Sequence, residues 1–248
     1  KNIDNKFLVE GTIQNKDLRF EDKFLAEFIK NLLPKLDLID INLNSKNKFS
    51  FIVDKKYKIE DFKSSSKIDI INLKFKNNLE LKSFIPNIKK EINLINHIIK
   101  VDYNKNVLSV SGKGNLLLQD QEDNITYNLV KNKDLLDLKI NLIIDKNPIA
   151  LDFLDYEKSP NLKSNIDLDM SHTLNDKTVI KSFLYNENDN KIEINDLTLN
   201  KNFKIKSLKN IILEDFDKDL RQNNIKVLRD KNNSYKISGS KFNANGLI

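Results

Sequence analysis

From residue 178 to 248 apolar side chains recur at every second position, and this period constrains the fold more than any other feature of the chain. Ile192 and Ile194, Leu197 and Leu199, Phe203 and Ile205, Ile225 and Val227, and Tyr235 and Ile237 are all pairs spaced by two. Successive side chains on a strand point to opposite faces, so each pair marks one apolar face backed by Lys, Asn, Asp and Glu. Residues 178–185, 191–200, 203–214, 224–230 and 234–242 therefore read as five strands. Between Ile194 and Leu197 the parity changes, which requires a bulge at 195–196 if both pairs are to share a face. The cleanest alternation lies earlier, at 134–145. There Leu136, Leu138, Ile140, Leu142 and Ile144 stand on one side and Asp137, Lys139 and Asn141 on the other, and Ile166, Leu168 and Met170 repeat the pattern.

The same periodicity runs through the first half. Residues 6–20 read as a hairpin turning at 14–17. In 36–76 the apolar sets are Ile39, Ile41 and Leu43, then Phe49, Phe51 and Val53, then Ile68 and Ile70, with Leu73 and Phe75 after a parity change; Asn/Lys/Ser clusters at 44–48 and 64–67 read as turns. Residues 107–118 form a strand with Leu108, Val110, Gly112, Gly114, Leu116 and Leu118 on its inner face. Three stretches break the period. Phe24, Leu25, Phe28, Ile29, Leu32 and Leu33 fit a helix over 21–33, opened by Glu21 and Asp22, stopped by Pro34 and placed as a cover over an edge or end of the sheet. Residues 83–103 fit either a helix (Ile88, Ile92, Ile95, Ile99) or two strands turning at 96–97, with strands preferred. Residues 149–157 read alone as one or two helical turns. The fold class is mainly β.

Chemistry is sparse. The net charge of +6 is spread over dispersed lysines, which reads as a solvated surface rather than a nucleic-acid footprint. There is no cysteine, hence no disulfide or thiol chemistry. No run approaches the ~18–20 apolar residues of a membrane-spanning helix. His97 and His172 stand outside any metal-ligand spacing and read as solvated residues beside turns, so neither metal nor cofactor is expected. Glu122–Asp123 and Glu214–Asp215 read as solvated pairs. Gly112-Lys113-Gly114 lies within strand residues, where it marks a kink or close backbone approach and not a phosphate loop. Nothing assembles a nucleophile, a base and an oxyanion donor, so no enzyme is expected. The 39% hydrophobic share, low beside 31% charged, suits an extended sheet with much surface.

Two stretches carry a family resemblance. Leu151-Asp152-Phe153-Leu154-Asp155-Tyr156-Glu157-Lys158 resembles a strand ending in an aromatic-x-Lys turn. Lys236-Ile237-Ser238-Gly239-Ser240-Lys241-Phe242-Asn243-Ala244 resembles a recurring Gly-x-x-Phe-Asp-Ala strand end, with Asn243 in place of Asp. Together with the strand order between them, through 208–213, Arg221 and 234–237, they are similar to the AsmA-like proteins of Gram-negative bacteria, particularly the YhdP-like branch. The likeness is best over 124–248. It implies that residues 1–248 are one segment of a longer protein, without an internal boundary, whose antiparallel strands form a long, twisted, open groove. It also implies a periplasmic location, an inner-membrane anchor outside this segment, and movement of phospholipid between the inner and outer membranes with acyl chains as the bound partner. The groove lining would then be Leu136, Leu138, Ile140, Leu142, Ile144, Ile166, Leu168, Met170, Ile192, Ile194, Leu197, Leu199, Phe203 and Ile205. On pattern alone, the same residues fit a closed β-sandwich or barrel core, or a repetitive adhesin-like scaffold without a ligand.

Overall fold

The computed structural model describes residues 2–3, 6–19, 37–77, 82, 84–151, 156–216, 222–229 and 234–241. Its strands are β1 (Asn2–Ile3), β2 (Lys6–Arg19), β3 (Leu38–Val53), β4 (Ile59–Lys76), β5 (Glu91–Asn104), β6 (Val107–Leu117), β7 (Asp123–Asn132), β8 (Leu135–Ile144), β9 (Ala150–Leu151), β10 (Tyr156–Glu157), β11 (Ser164–Thr173), β12 (Lys177–Glu187), β13 (Asn190–Asn200), β14 (Ile205–Ser207), β15 (Asn210–Phe216), β16 (Gln222–Arg229) and β17 (Tyr235–Lys241). The chain is mainly β, and among the described residues there is no helix. The expected helix at 21–33 lies outside the described residues.

The chain divides into two compact units: Lys1–Asn77 with Lys90–Leu117 and Thr126–Lys133, and Asn78–Lys89 with Leu118–Ile125 and Asp134–Ile248. In the first, strands β1 to β6 pair in chain order, each antiparallel to the next. In the second, the order is β8-β11-β12-β13-β15-β16-β17, again antiparallel, with β14 also paired to β13 and a separate hairpin of β9 and β10. Neither order returns on itself, so neither unit is a closed barrel.

Several polar clusters that read as turns lie inside strands. Asn44–Lys48 and residues 64–67 are mid-strand in β3 and β4, and 14–17 belongs to β2, which runs on to Arg19 with a bulge between Asn15 and Leu18. The reason is visible in the pairing. Asn15 donates to the Ser45 hydroxyl across the sheet at 3.1 Å and Asn47, two residues along the same strand, donates to it at 3.0 Å, so these polar groups are satisfied while the backbone ladder continues. Likewise 91–104 is one strand, with Asn96 in the left-handed region (φ 48°) at a register shift, rather than two strands joined by a turn. Residues 203–214 are not one strand. Phe203 sits in a turn, and the sheet resumes as β14 and β15. Within 149–157 the described residues form the short β9 and β10, not helical turns.

The core of the first unit is Ile41, Leu43, Ile70 and Leu73, packed by Leu18, Leu38, Phe75 and Leu94 among others. The parity change before Leu73 is a one-residue shift: Leu43 pairs with Ile70 but Ile41 pairs with Leu73, leaving Ile71 turned outward. The core of the second unit is Ile144, Ile149, Tyr156, Tyr185 and Leu213.

Candidate functional site

The registers of the second unit line up the alternating residues into cross-strand rungs. One rung runs Ile140–Leu168–Phe183–Ile194–Ile211–Val227–Ile237 over seven strands. A neighbouring rung runs Leu142–Ile166–Tyr185–Ile192–Leu213–Ile225. On the other side lie Leu138–Met170–Ile180–Leu197 and then Leu136–His172–Thr178–Leu199–Ile205. Directly opposed apolar side chains stand about 4.5–5.5 Å apart at Cβ, close enough to form a continuous surface. The change of parity at 195–196 is resolved by the expected irregularity. Asp196 adopts a left-handed φ of 49°, and Ile194 and Leu197 pair with Phe183 and Ile180. Strand β12 changes parity at the same place, through the register shift of β11 against β12 between Asp169 and Met170. The apolar face is thereby continued on both strands.

The reverse face is a ladder of charges. Lys139 pairs with Asp169 at 2.9 Å, and Lys181 reaches Asp137 at 3.2 Å and Asp169 at 3.7 Å. Asn141 donates to Asn165 and Asp167. Hydrogen bonds from Ser171 and Lys181 hold the Asp137 carboxyl below the usual carboxylate range. Glu193 is likewise lowered, by hydrogen bonds from Lys191 and Asn195. The two faces thus differ in kind, and the apolar one carries no ion pair among the described residues.

Burial along the apolar face is graded. At one end Ile144 is 3% and Tyr185 3% exposed, covered by Ile149, Leu151 and Tyr156 of the β9–β10 segment. Away from that segment Leu138, Ile140, Leu168, Met170, Ile180, Ile194 and Leu197 are all half-buried. No second layer of described residues seals them, as a sandwich core would be sealed. Of the expected lining residues, Phe203 stands apart in a turn, 70% exposed, and Ile205 is 68% exposed on the short β14. Phe183, Tyr185, Ile180, Ile211, Leu213, Ile225 and Val227 belong to the face as well. Their alternation in sequence was the available signal, but only the register places them on the same rungs.

The covered end holds a buried polar network that no spacing in the sequence announces. Glu187, 1% exposed, accepts hydrogen bonds from the Tyr156 hydroxyl, the Ser159 N–H (3.0 Å) and Asn190 (3.2 Å). The Tyr156 and Tyr185 hydroxyls lie 2.6 Å apart. Burial raises both phenols, Tyr185 to about 12. Lys158, 2% exposed, donates to the Asp145 and Ser159 carbonyls, and burial lowers its ammonium from the ordinary value against the attraction of Glu187 and Asp145. Next to it, Asn147 donates to Asp123 and to the Gln121 carbonyl, both at 2.7 Å. Asp123 is 1% exposed and raised by burial, so it is not the solvated residue the sequence suggested.

His97 is also not solvated. In the first unit it is fully buried, stacked on Tyr127 with ring centroids 5.6 Å apart. Gly114 makes the space: a Cβ there would lie 2.6 Å from both the His97 Cα and its Nδ1. One at Gly112 would lie 2.3 Å from the Tyr127 ring. The close approach expected at 112–114 is therefore an approach of two rings to a bare backbone. Burial lowers the His97 pKa, opposed by the nearby Asn115 backbone. His172 is half-buried, its Nδ1 3.0 Å from the Thr178 hydroxyl. Among the described residues no group of three or more His, Cys, Asp or Glu is placed to hold a metal ion.

Comparison with known proteins finds no matching family model, no matching curated protein and no matching solved structure.

Proposed function

We propose that the chain is a segment of a lipid-carrying bridge of the AsmA-like, YhdP-like kind, in which acyl chains lie along the apolar rungs of the second unit. The observation that supports it is the pairing of continuity with incomplete burial: apolar rungs cross up to seven strands, yet most of their side chains are only partly buried. Leaving such a surface bare in water is unfavourable by about 25 cal/mol per Å², and extended acyl chains, at ~0.8 kcal/mol per CH₂ removed from water, match it in chemistry and shape. Head groups stay hydrated beyond the face. The function requires no reacting side chain, and no catalytic role is assigned. In this reading the segment works in the periplasm, carrying phospholipid between inner and outer membranes, with its inner-membrane anchor in another part of the protein.

The test is extraction of the purified chain with organic solvent, followed by mass spectrometry of the extract. Phospholipid recovered in constant proportion to protein, and lost from a variant with polar residues on the Ile140 rung, supports the bridge. A fully folded chain that retains no lipid after expression in membrane-containing cells, and takes up none from micelles, favours a ligand-free β scaffold.

A further inference from the structure

Two hairpin tips, one in each unit, repeat the same six-residue pattern: Asp54-Lys55-Lys56-Tyr57-Lys58-Ile59 and Asn200-Lys201-Asn202-Phe203-Lys204-Ile205. Their geometry repeats bond for bond. In the first, the Asp54 N–H donates to the Lys58 carbonyl and the Tyr57 N–H to the Asp54 carbonyl; the Asp54 carboxylate accepts from the Lys56 and Lys58 N–H groups. In the second, Asn200 N–H donates to Lys204, Phe203 N–H donates to Asn200, and the Asn200 side chain accepts from the Asn202 and Lys204 N–H groups. This is the three-residue hairpin loop whose last position is left-handed, a position that favours glycine. Here an aromatic residue fills it, Tyr57 at φ 60° and Phe203 at φ 57°. Bulky residues are rare there, and a ring so placed is not explained by the turn itself.

Nor is it explained by packing. Tyr57 is 89% and Phe203 70% exposed, and the isoleucines that follow are both largely exposed. Flanking lysines supply the charge. Among the described residues none of Lys55, Lys56, Lys58, Lys201, Lys204 and Lys206 is in an ion pair, and the one carboxylate within the tips, Asp54, is engaged by its own turn. The triplet alone is not sufficient. Tyr235-Lys236-Ile237 repeats it inside β17, where the Tyr235 hydroxyl accepts the Leu208 N–H and the ring is only 46% exposed.

We propose that these two tips are contact points for a bilayer surface carrying anionic head groups. Each ring and following isoleucine enters the head-group region while the lysines meet the phosphates. Aromatic side chains favour that interface, lysine stems reach along apolar surface, and each cation near an anionic leaflet adds attraction. The assignment does not depend on whether acyl chains ride on the apolar rungs.

The chain contains no tryptophan, so one introduced at a tip is a sole reporter. Tyr57→Trp and Phe203→Trp variants of the full chain are to be titrated with phosphatidylcholine vesicles, with and without phosphatidylglycerol. The expected result is a blue-shifted emission from both tips, quenched by brominated lipid, only when phosphatidylglycerol is present. Replacing two lysines of a tip by glutamine should weaken binding about ten-fold or more, and high salt should do the same. Tyr57→Gly with Phe203→Gly keeps the lysines and suits the left-handed turn, so it should bind vesicles several-fold more weakly with an unfolding midpoint that is unchanged or higher. Unshifted emission at both tips, or glycine variants that bind as well as the parent, would overturn the proposal. So would aromatic-dependent retention on single-stranded nucleic acid without vesicle binding.

Discussion

The two units build the same kind of antiparallel sheet, yet their inner faces differ. In the second, every rung from Leu138–Met170 to Leu142–Ile166 is apolar, and the covered part is confined to the Ile144, Tyr156 and Tyr185 end. In the first, the buried set Ile41, Leu43, Ile70 and Leu73 gives way along the same face to Asn15–Ser45 and Asn47–Ser66. Aromatic contacts then follow: Phe49 on Phe51 at 6.1 Å, Phe51 on Phe62 at 6.5 Å and Phe62 on Tyr103 at 5.9 Å. A strand of 16 or 18 residues can cross a polar band because its ladder hydrogen bonds do not depend on the side chains. The difference teaches where each face gets its character. Strand formation needs only the backbone and a period of two; whether a face suits an apolar ligand depends on which residues fall on one parity after every bulge.

The largest contrast should come from one substitution made in each unit. Ile70→Asp places an unpaired carboxylate in a site only 5% exposed, and should cost several kcal/mol or prevent folding of the first unit. Ile140→Asp, on a half-buried rung, leaves the carboxylate partly hydrated and should cost less than about 2 kcal/mol. Urea unfolding followed by far-UV circular dichroism gives both numbers. Equal losses would mean that Ile140 is ordinary sealed core and would erase the distinction between the faces.

Next in size is the covered end. Glu187→Ala strips the acceptor from Tyr156, Ser159 and Asn190 and removes the strongest of the three carboxylates that attract buried Lys158, leaving Asp145 and Asp123, so a loss of about 3–5 kcal/mol is expected in the second unit. Glu187→Gln, which keeps shape and hydrogen bonding, should lose less. If both variants unfold at the parent's urea concentration, the network does not hold the β9–β10 segment in place.

The smallest effect is one of pH and belongs to the first unit. The folded state holds His97 below its ordinary pKa, so on acidification the unfolded chain binds the proton first. The contribution is whole above the unfolded value of about 6.5 and is lost as pH falls toward the folded one. A His97→Phe variant should show a flatter fall of unfolding midpoint between neutral and mildly acidic pH. A parallel slope in both proteins would assign the acid sensitivity to other groups.

Part of this is legible in the sequence, and the rest is not, for physical reasons. The alternation at 134–145 and 191–200, and the irregularity at 195–196, were legible because period and parity are local properties. Residues 44–48 and 64–67 read as turns because Asn, Lys and Ser favour turns, while their role as cross-strand rungs depends on partners 15 to 39 residues away. His97 reads as solvated in the sequence because its burial is created by the missing side chain of Gly114 on the adjacent strand. Glu187, Tyr156 and Lys158 come from separate stretches, and no spacing within the chain announces their meeting. The repeated Asx-Lys-x-aromatic-Lys-Ile pattern was visible as letters; only the left-handed φ and the exposure of its rings gave it meaning.

The central claim, that the second unit offers one lipid-bearing face, is tested most directly by site-specific photo-crosslinking in cells producing the protein. A photoreactive side chain at Leu138, Ile140 or Leu142 should capture phospholipid, and at Ile194 and Leu197 both should label, because the irregularity at Asp196 keeps them on one face. The same group at Lys139 or Asn141, on the charged reverse side, should capture none. Equal labelling of the two faces, or none on either in a folded protein, would contradict the account.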